Sequence, residues 1–236
     1  MRIDQQPAFI LHARPYRETS LLLEAFTRDH GRVGLVARGV RRERSRLPRG
    51  VLQPLQPLLL DWIARGDLGT LTAADAASAP FGLGGDALFA AIYVNELVLR
   101  LSERNDAHPS AFAAYAQCLA RLAEGEHLAW TLRRFERAWL ADIGYALALT
   151  RTARGDAVEA DDEYAYDPDS GAVEGTAPSS WPRVSGAALL ALDADEMPNA
   201  EQLVQLRRVV RAVVRHLVGG ELRAWTLATR PAAATD

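Results

Sequence analysis

Residues 27–50, TRDHGRVGLVARGVRRERSRLPRG, decide how the N-terminal third of the chain is read. Arg28-Asp29-His30-Gly31 has turn chemistry, and Arg32-Val33-Gly34-Leu35-Val36-Ala37-Arg38 follows as a short strand with apolar and polar side chains alternating near its start. Residues 21–27, before the turn, form a second strand-like run, so the two predict a hairpin. Residues 8–13, closed by Pro15, and residues 58–64 and 70–73 complete five short strands. Five strands in so short a segment suit a small closed barrel, of which the OB type is the commonest five-stranded form. Periodicity alone leaves an SH3-like barrel open.

The third strand ends in arginine. Arg38, Arg41, Arg42, Arg44, Arg46 and Arg49 stand against the single acid Glu43, in a chain of formal net charge −3. Guanidinium forks match phosphate oxygens, and Gly39 and Gly50 allow close backbone approach. Arg14, Arg17 and Arg32 belong to the same segment, and Tyr16, between Pro15 and Arg17, is the best placed aromatic for base stacking. Phe9 and Phe26 sit in apolar runs and are assigned to the core. A solvated loop would carry the same charge; position on a loop of an OB-type barrel, where nucleic acid commonly binds, favours the binding reading. That every one of the 27 basic residues is arginine argues for no single site, because it is a property of the whole composition.

Beyond residue 81 the pattern turns helical. Helices are predicted at residues 87–103 with Asp86 as N-cap, 110–123 after Pro109, 126–143 with Gly144 as stop, 185–192, and 200–217 with Asn199 as cap. The expected fold class is therefore α+β: an OB-fold domain at residues 1–80 and a helical domain at 81–236. The latter is interrupted at about residues 150–182 by a loop-rich insert with eight acids. On the last helix Arg207, Arg211 and Arg215 recur at i, i+4 and i+8. No acid lies between Gln202 and Gly220, so the row repels itself unless it meets an anion. Arg133, Arg134 and Arg137 are read as lying off the apolar face of the third helix.

Catalytic signals are missing. A chain without lysine has no Walker lysine, Gly82-Leu83-Gly84-Gly85 is linker-like, and the five histidines are scattered singly. Cys118 alone makes neither a disulfide framework nor a thiolate zinc site, and it is expected to be buried. The acids of the insert lack the order of a calcium loop. No enzyme activity, cofactor or metal is expected, and with neither a signal-type N-terminus nor a membrane-length apolar run the expected setting is the cytoplasm.

The residues Phe9-Ile10-Leu11-His12-Ala13-Arg14-Pro15-Tyr16-Arg17-Glu18-Thr19-Ser20, Gly31-Arg32-Val33 and Val36-Ala37-Arg38-Gly39-Val40-Arg41-Arg42 resemble the N-terminal signature of the bacterial RecO family of DNA repair proteins. The likeness continues through Leu52-Gln53-Pro54, Tyr93-Val94-Asn95-Glu96-Leu97, Leu132-Arg133-Arg134-Phe135-Glu136, Gly144-Tyr145 and Leu217-Val218-Gly219-Gly220. The resemblance implies a non-enzymatic recombination mediator associated with the nucleoid. Such a protein binds single- and double-stranded DNA, anneals complementary strands, and works with RecR to load RecA onto DNA coated by single-strand-binding protein. It also implies a groove for the acidic C-terminal tail of that protein, with Arg133 and then Arg134 and Arg137 at its edge. Some members carry a four-cysteine zinc ribbon in the insert; residues 150–182 contain no cysteine, so no zinc is expected. The alternative is a basic scaffold that binds acidic tails without a direct DNA function.

Overall fold

β1 (Arg2–Tyr16) does not stop at Pro15. Its first half pairs with β4 (Leu58–Ile63); from Phe9 to Tyr16 its ladder among the described residues is with β2 (Ser20–Thr27), with one isolated bridge from Ile10 to Pro54. Past Ile10 the strand has one ladder neighbour among the described residues, the kind of edge position where proline is tolerated. β2 pairs with β3 (Gly31–Ala37), and β3 pairs in parallel with β5 (Leu68–Ala76), which returns antiparallel to β4. The order β1-β2-β3-β5-β4 closes into an OB-like barrel. The structure, a computed structural model, describes residues 1–42, 45, 47 and 49–227.

Strand alternation explains how the barrel gains an outer layer. Ile10, Leu23 and Leu35 point into the barrel and are fully buried. Phe9 and Phe26 point outward, yet they are also buried, because α2 (Pro109–Ala123) covers them. Ring centroids lie 4.9 Å apart for Phe9–Tyr115 and 5.4 Å apart for Phe26–Phe112, so the core assignment of both phenylalanines holds. α1 (Gly85–Leu101) is joined to the same layer by Asn95. Its Nδ2 donates to the Leu11 carbonyl at 2.5 Å, and its Oδ1 accepts from the Tyr115 hydroxyl at 3.0 Å. Asp86 lies in the first turn of α1; Gly84 is the N-cap. The barrel, α1 and α2 belong to one compact unit, Met1–Glu124.

The second unit is Gly125–Trp225. It holds α3 (Leu128–Asp142), α4 (Gly186–Asp193) and α5 (Ala200–Val218), and the short α6 (Arg223–Leu227), absent from the sequence expectation, begins within it. Asn199 caps α5 in a reciprocal box with Gln202, and Gly219 ends it in the left-handed region at φ 69°. Cys118, on α2, is buried as expected.

The insert is a small sheet where loops were expected. β6 (Glu163–Asp167) is central, flanked by β7 (Gly171–Val173) and β8 (Arg183–Ser185). Tyr164, Ala165 and Tyr166 are all buried, so β6 is enclosed on both faces. The Tyr164 hydroxyl accepts the Glu159 N–H at 2.9 Å and the Tyr166 hydroxyl accepts the Ala148 N–H at 3.0 Å. Both hydroxyls anchor the flanking loops, and burial pushes the Tyr166 phenol up to about 12, so that ring stays neutral. A zinc ribbon does not fit here: residues 150–182 hold neither cysteine nor histidine.

Candidate nucleic-acid interface

The β2–β3 register, Leu21 opposite Ala37, brings the residues after β3 beside the β1–β2 turn. Between them opens a cleft of about 680 Å³. Tyr16, Arg17, Glu18, Thr19 and Ser20 line it from the turn; Val36, Arg38, Gly39 and Arg42 line it from the other side. The two sides are tied together. The Arg41 N–H donates to the Thr19 carbonyl at 2.9 Å, and Arg41 Nη1 donates to the Glu18 carbonyl at 3.3 Å. Gly39, at φ 65°, supplies the left-handed step that turns the chain back, closed by the Arg42 N–H on its carbonyl at 3.0 Å.

Arg17 also sits in the left-handed region, at φ 53°, a conformation disfavoured for a residue with a Cβ. It places the guanidinium 5.3 Å from the centroid of the Tyr16 ring. Arg14, exposed, lies two residues before Tyr16 on an unbroken register and so shares its side of the strand. Arg38, Arg41 and Arg42 are exposed as well. Against these positive charges the described residues of the cleft lining offer one carboxylate, Glu18. Such an excess of one sign in a concave surface focuses the field and attracts anions.

The other expected site residues lie elsewhere. Arg32 is half-buried: Nη1 meets Glu24 at 3.1 Å, while Nε and Nη2 donate to the Ser102 carbonyl at 3.2 and 3.0 Å. Arg104 shares Glu24. Arg32 is thus a link between β3 and the end of α1, and not part of the cleft. Arg44 and Arg46 lie outside the described residues.

In the second unit the arginine row on α5 meets its counter-charge one residue beyond the stretch that lacks acids. Glu221 pairs with Arg215 and, at 3.8 Å, with Arg211, whose guanidinium lies 4.5 Å from the centroid of the Trp225 ring. These contacts hold the chain that folds back after Gly219; Arg207 is exposed. Arg133 contradicts its expected position off the apolar face. It is only 5% exposed and pairs with the fully buried Glu136: Nη2 donates to one carboxylate oxygen at 2.6 Å, and Nε lies 2.6 Å from the other. Arg134 meets Asp195 at 2.6 Å, and Arg137 donates to the Leu192 and Asp193 carbonyls at 2.6 Å, closing the end of α4.

Sequence reasoning missed Glu18, Thr19, Ser20 and Val36 as cleft residues. The tight turn between β1 and β2 was the available signal, since a hairpin tip beside a basic segment brings its own side chains along. Among the described residues no helix is long and apolar enough to cross a membrane, and no cluster of three metal-ligating side chains is present.

Comparison with known proteins agrees with this architecture. The family profile "Recombination protein O N terminal" matches residues 1–80, and "Recombination protein O C terminal" matches residues 84–226. A DNA repair protein RecO of Burkholderia lata is 43% identical over 221 residues, covering 93% of this chain and 79% of the relative. The RecO of Xanthomonas oryzae pv. oryzae is 43% identical over 232 residues, covering 96% of this chain and 97% of the relative. The chain, with its OB-like barrel and following helices, belongs to the RecO family of DNA repair proteins.

Proposed function

We propose that this chain is a non-enzymatic recombination mediator. It binds single- and double-stranded DNA, anneals complementary strands, and, with RecR, helps to load RecA onto DNA coated by single-strand-binding protein. The observation that carries this reading is the basic cleft between the β1–β2 turn and the segment after β3. Guanidinium groups displace condensed counterions from phosphate, which gives sequence-independent, salt-sensitive affinity. Neutralising two strands on basic surfaces lowers their mutual repulsion, and pairing then proceeds without a bond-breaking step. Arg14, Tyr16, Arg17, Arg38, Arg41 and Arg42 carry the barrel contact. The exposed Arg207 and the outer edges of Arg211 and Arg215 offer a second, weaker one. The protein acts where the DNA is, in the cytoplasm at the nucleoid.

For the acidic tail of single-strand-binding protein, Arg134 and Arg137 are the contacts. They are half-exposed and share one carboxylate, Asp195, which leaves a net positive spot. Arg133 supports them from beneath through its pair with Glu136.

The test is annealing of complementary strands, bare and coated with single-strand-binding protein. Both anneal faster with the protein present. Acceleration of neither overturns the reading. A scaffold that recognises only acidic tails would show little DNA binding even at low salt. Arg17 gives a sharper check. Arg17→Gly removes one phosphate contact and about 1 kcal/mol of backbone strain. The expected result is an unchanged or slightly raised melting temperature together with about fivefold weaker single-strand affinity at 0.1 M salt.

A further inference from the structure

We infer that the barrel cleft admits one unstacked base of a single strand, and that Glu18 reads its edge with a preference for guanine. The inference rests on the proposal that this cleft binds DNA, and it names what enters. A surface that only tracks phosphates needs a strip of cations. This cleft is concave, with a volume of about 680 Å³. The cleft stays open to solvent on one side, and it leaves room for a base beside the backbone phosphate.

The lining is divided by chemistry. Arg38 and Arg42, with the Gly39 backbone, form the side suited to phosphate. Tyr16 offers an aromatic surface suited to a base from the turn, with Val36 an apolar lining residue on the other side, and one approach to the ring is already taken by the Arg17 guanidinium. Glu18 is the residue that phosphate binding alone does not account for. A carboxylate repels phosphate, it is an acceptor only, and among the described residues Glu18 makes no ion pair that would neutralise it. A carboxylate in that lining can accept from a ligand edge made of N–H donors.

Of the four bases, guanine alone presents two adjacent donors on its pairing edge, N1–H and the N2 amine, which match the two oxygens of a carboxylate. Thymine flanks its single N–H with carbonyl oxygens, and adenine and cytosine set a ring acceptor beside the amine. The site is also built in advance. Two Arg41 hydrogen bonds pin the turn that carries Glu18, and Arg17 holds a left-handed conformation there at φ 53°.

The test compares binding of an alternating thymine–guanine oligonucleotide with its thymine–inosine counterpart, which lacks only the N2 amine, at one salt concentration. The wild-type chain binds the guanine strand at least about tenfold more tightly, the effect of one hydrogen bond to a charged acceptor. Glu18→Ala, at an exposed turn, keeps the fold by circular dichroism and brings the two affinities together. It also binds both strands no more weakly than the wild type binds inosine, since a negative charge has gone. Equal wild-type affinities, or a preference that survives Glu18→Ala, overturn the inference and leave the DNA-binding reading standing. Failure to bind either strand overturns both.

Discussion

Replacing Arg38, Arg41 and Arg42 together by glutamate lowers single-strand affinity by about a hundredfold or more at 0.1 M salt. Three lost phosphate contacts on a single strand remove about 2 from the slope of log affinity against log salt. At 0.1 M that slope corresponds to about two decades, before any repulsion from the new carboxylates. All three side chains are exposed, and the hydrogen bond that ties Arg41 to the turn uses its backbone N–H, which survives substitution. Among the described residues only the Arg41 Nη1 bond to the Glu18 carbonyl is lost, so the stability change is about 1 kcal/mol or less. Salt titrations by fluorescence anisotropy, beside thermal melts, separate the two effects. A well-folded triple variant that keeps both its affinity and its salt slope would remove the cleft from the DNA path. Annealing by the triple variant falls in parallel, because strand capture precedes pairing.

How far the chain could be read in advance depended on the range of the interaction concerned. The barrel strands were legible because period-2 alternation and turn residues are local signals, and all five were present. The continuation of β1 past Pro15 was not, because it depends on the strand having a single neighbour at that end. The insert read as loop because its acids and glycines dominate the composition. The pairing of Tyr164 with Val184 and of Tyr166 with Ala172 is a tertiary fact.

Charge misled in a consistent way. Arg32 looked like part of a basic patch, but Glu24 and the Ser102 carbonyl absorb it. The α5 row looked unbalanced, but Glu221 stands just past its end. A count of like charges along a stretch says nothing about a carboxylate delivered by a neighbouring turn. The cleft itself was half visible. Tyr16, Arg17, Arg38 and Arg42 could be named from sequence, whereas Glu18 became meaningful only when the β2–β3 register put the turn beside the arginines.

Glu136→Ala destabilises the second unit by about 3–5 kcal/mol, the usual cost of leaving one partner of a buried ion pair uncompensated. Arg133 and Glu136 lie one helical turn apart on α3, with side chains 6% and 0% exposed, and meet through two contacts of 2.6 Å. In water such an i,i+3 pair stabilises a helix by only a few tenths of a kcal/mol. Burial changes the accounting. The desolvation of both ions is already part of the folded state, and each makes it tolerable for the other. Without the carboxylate, the guanidinium must find water by bending outward or stay buried and unmatched; the first route sets the lower end of the range. Glu136→Gln, which keeps an acceptor but not the charge, costs less, about 1–3 kcal/mol. The double replacement Arg133→Met with Glu136→Leu recovers most of the loss, because apolar side chains of similar volume carry no desolvation penalty. Urea unfolding of the three variants gives this order, and a Glu136→Ala chain as stable as the wild type would show that the pair is not buried in solution. The cleft belongs to the other unit, so below its unfolding transition Glu136→Ala retains single-strand affinity. A loss of DNA binding by a folded Glu136→Ala variant would instead assign the pair a place in DNA contact.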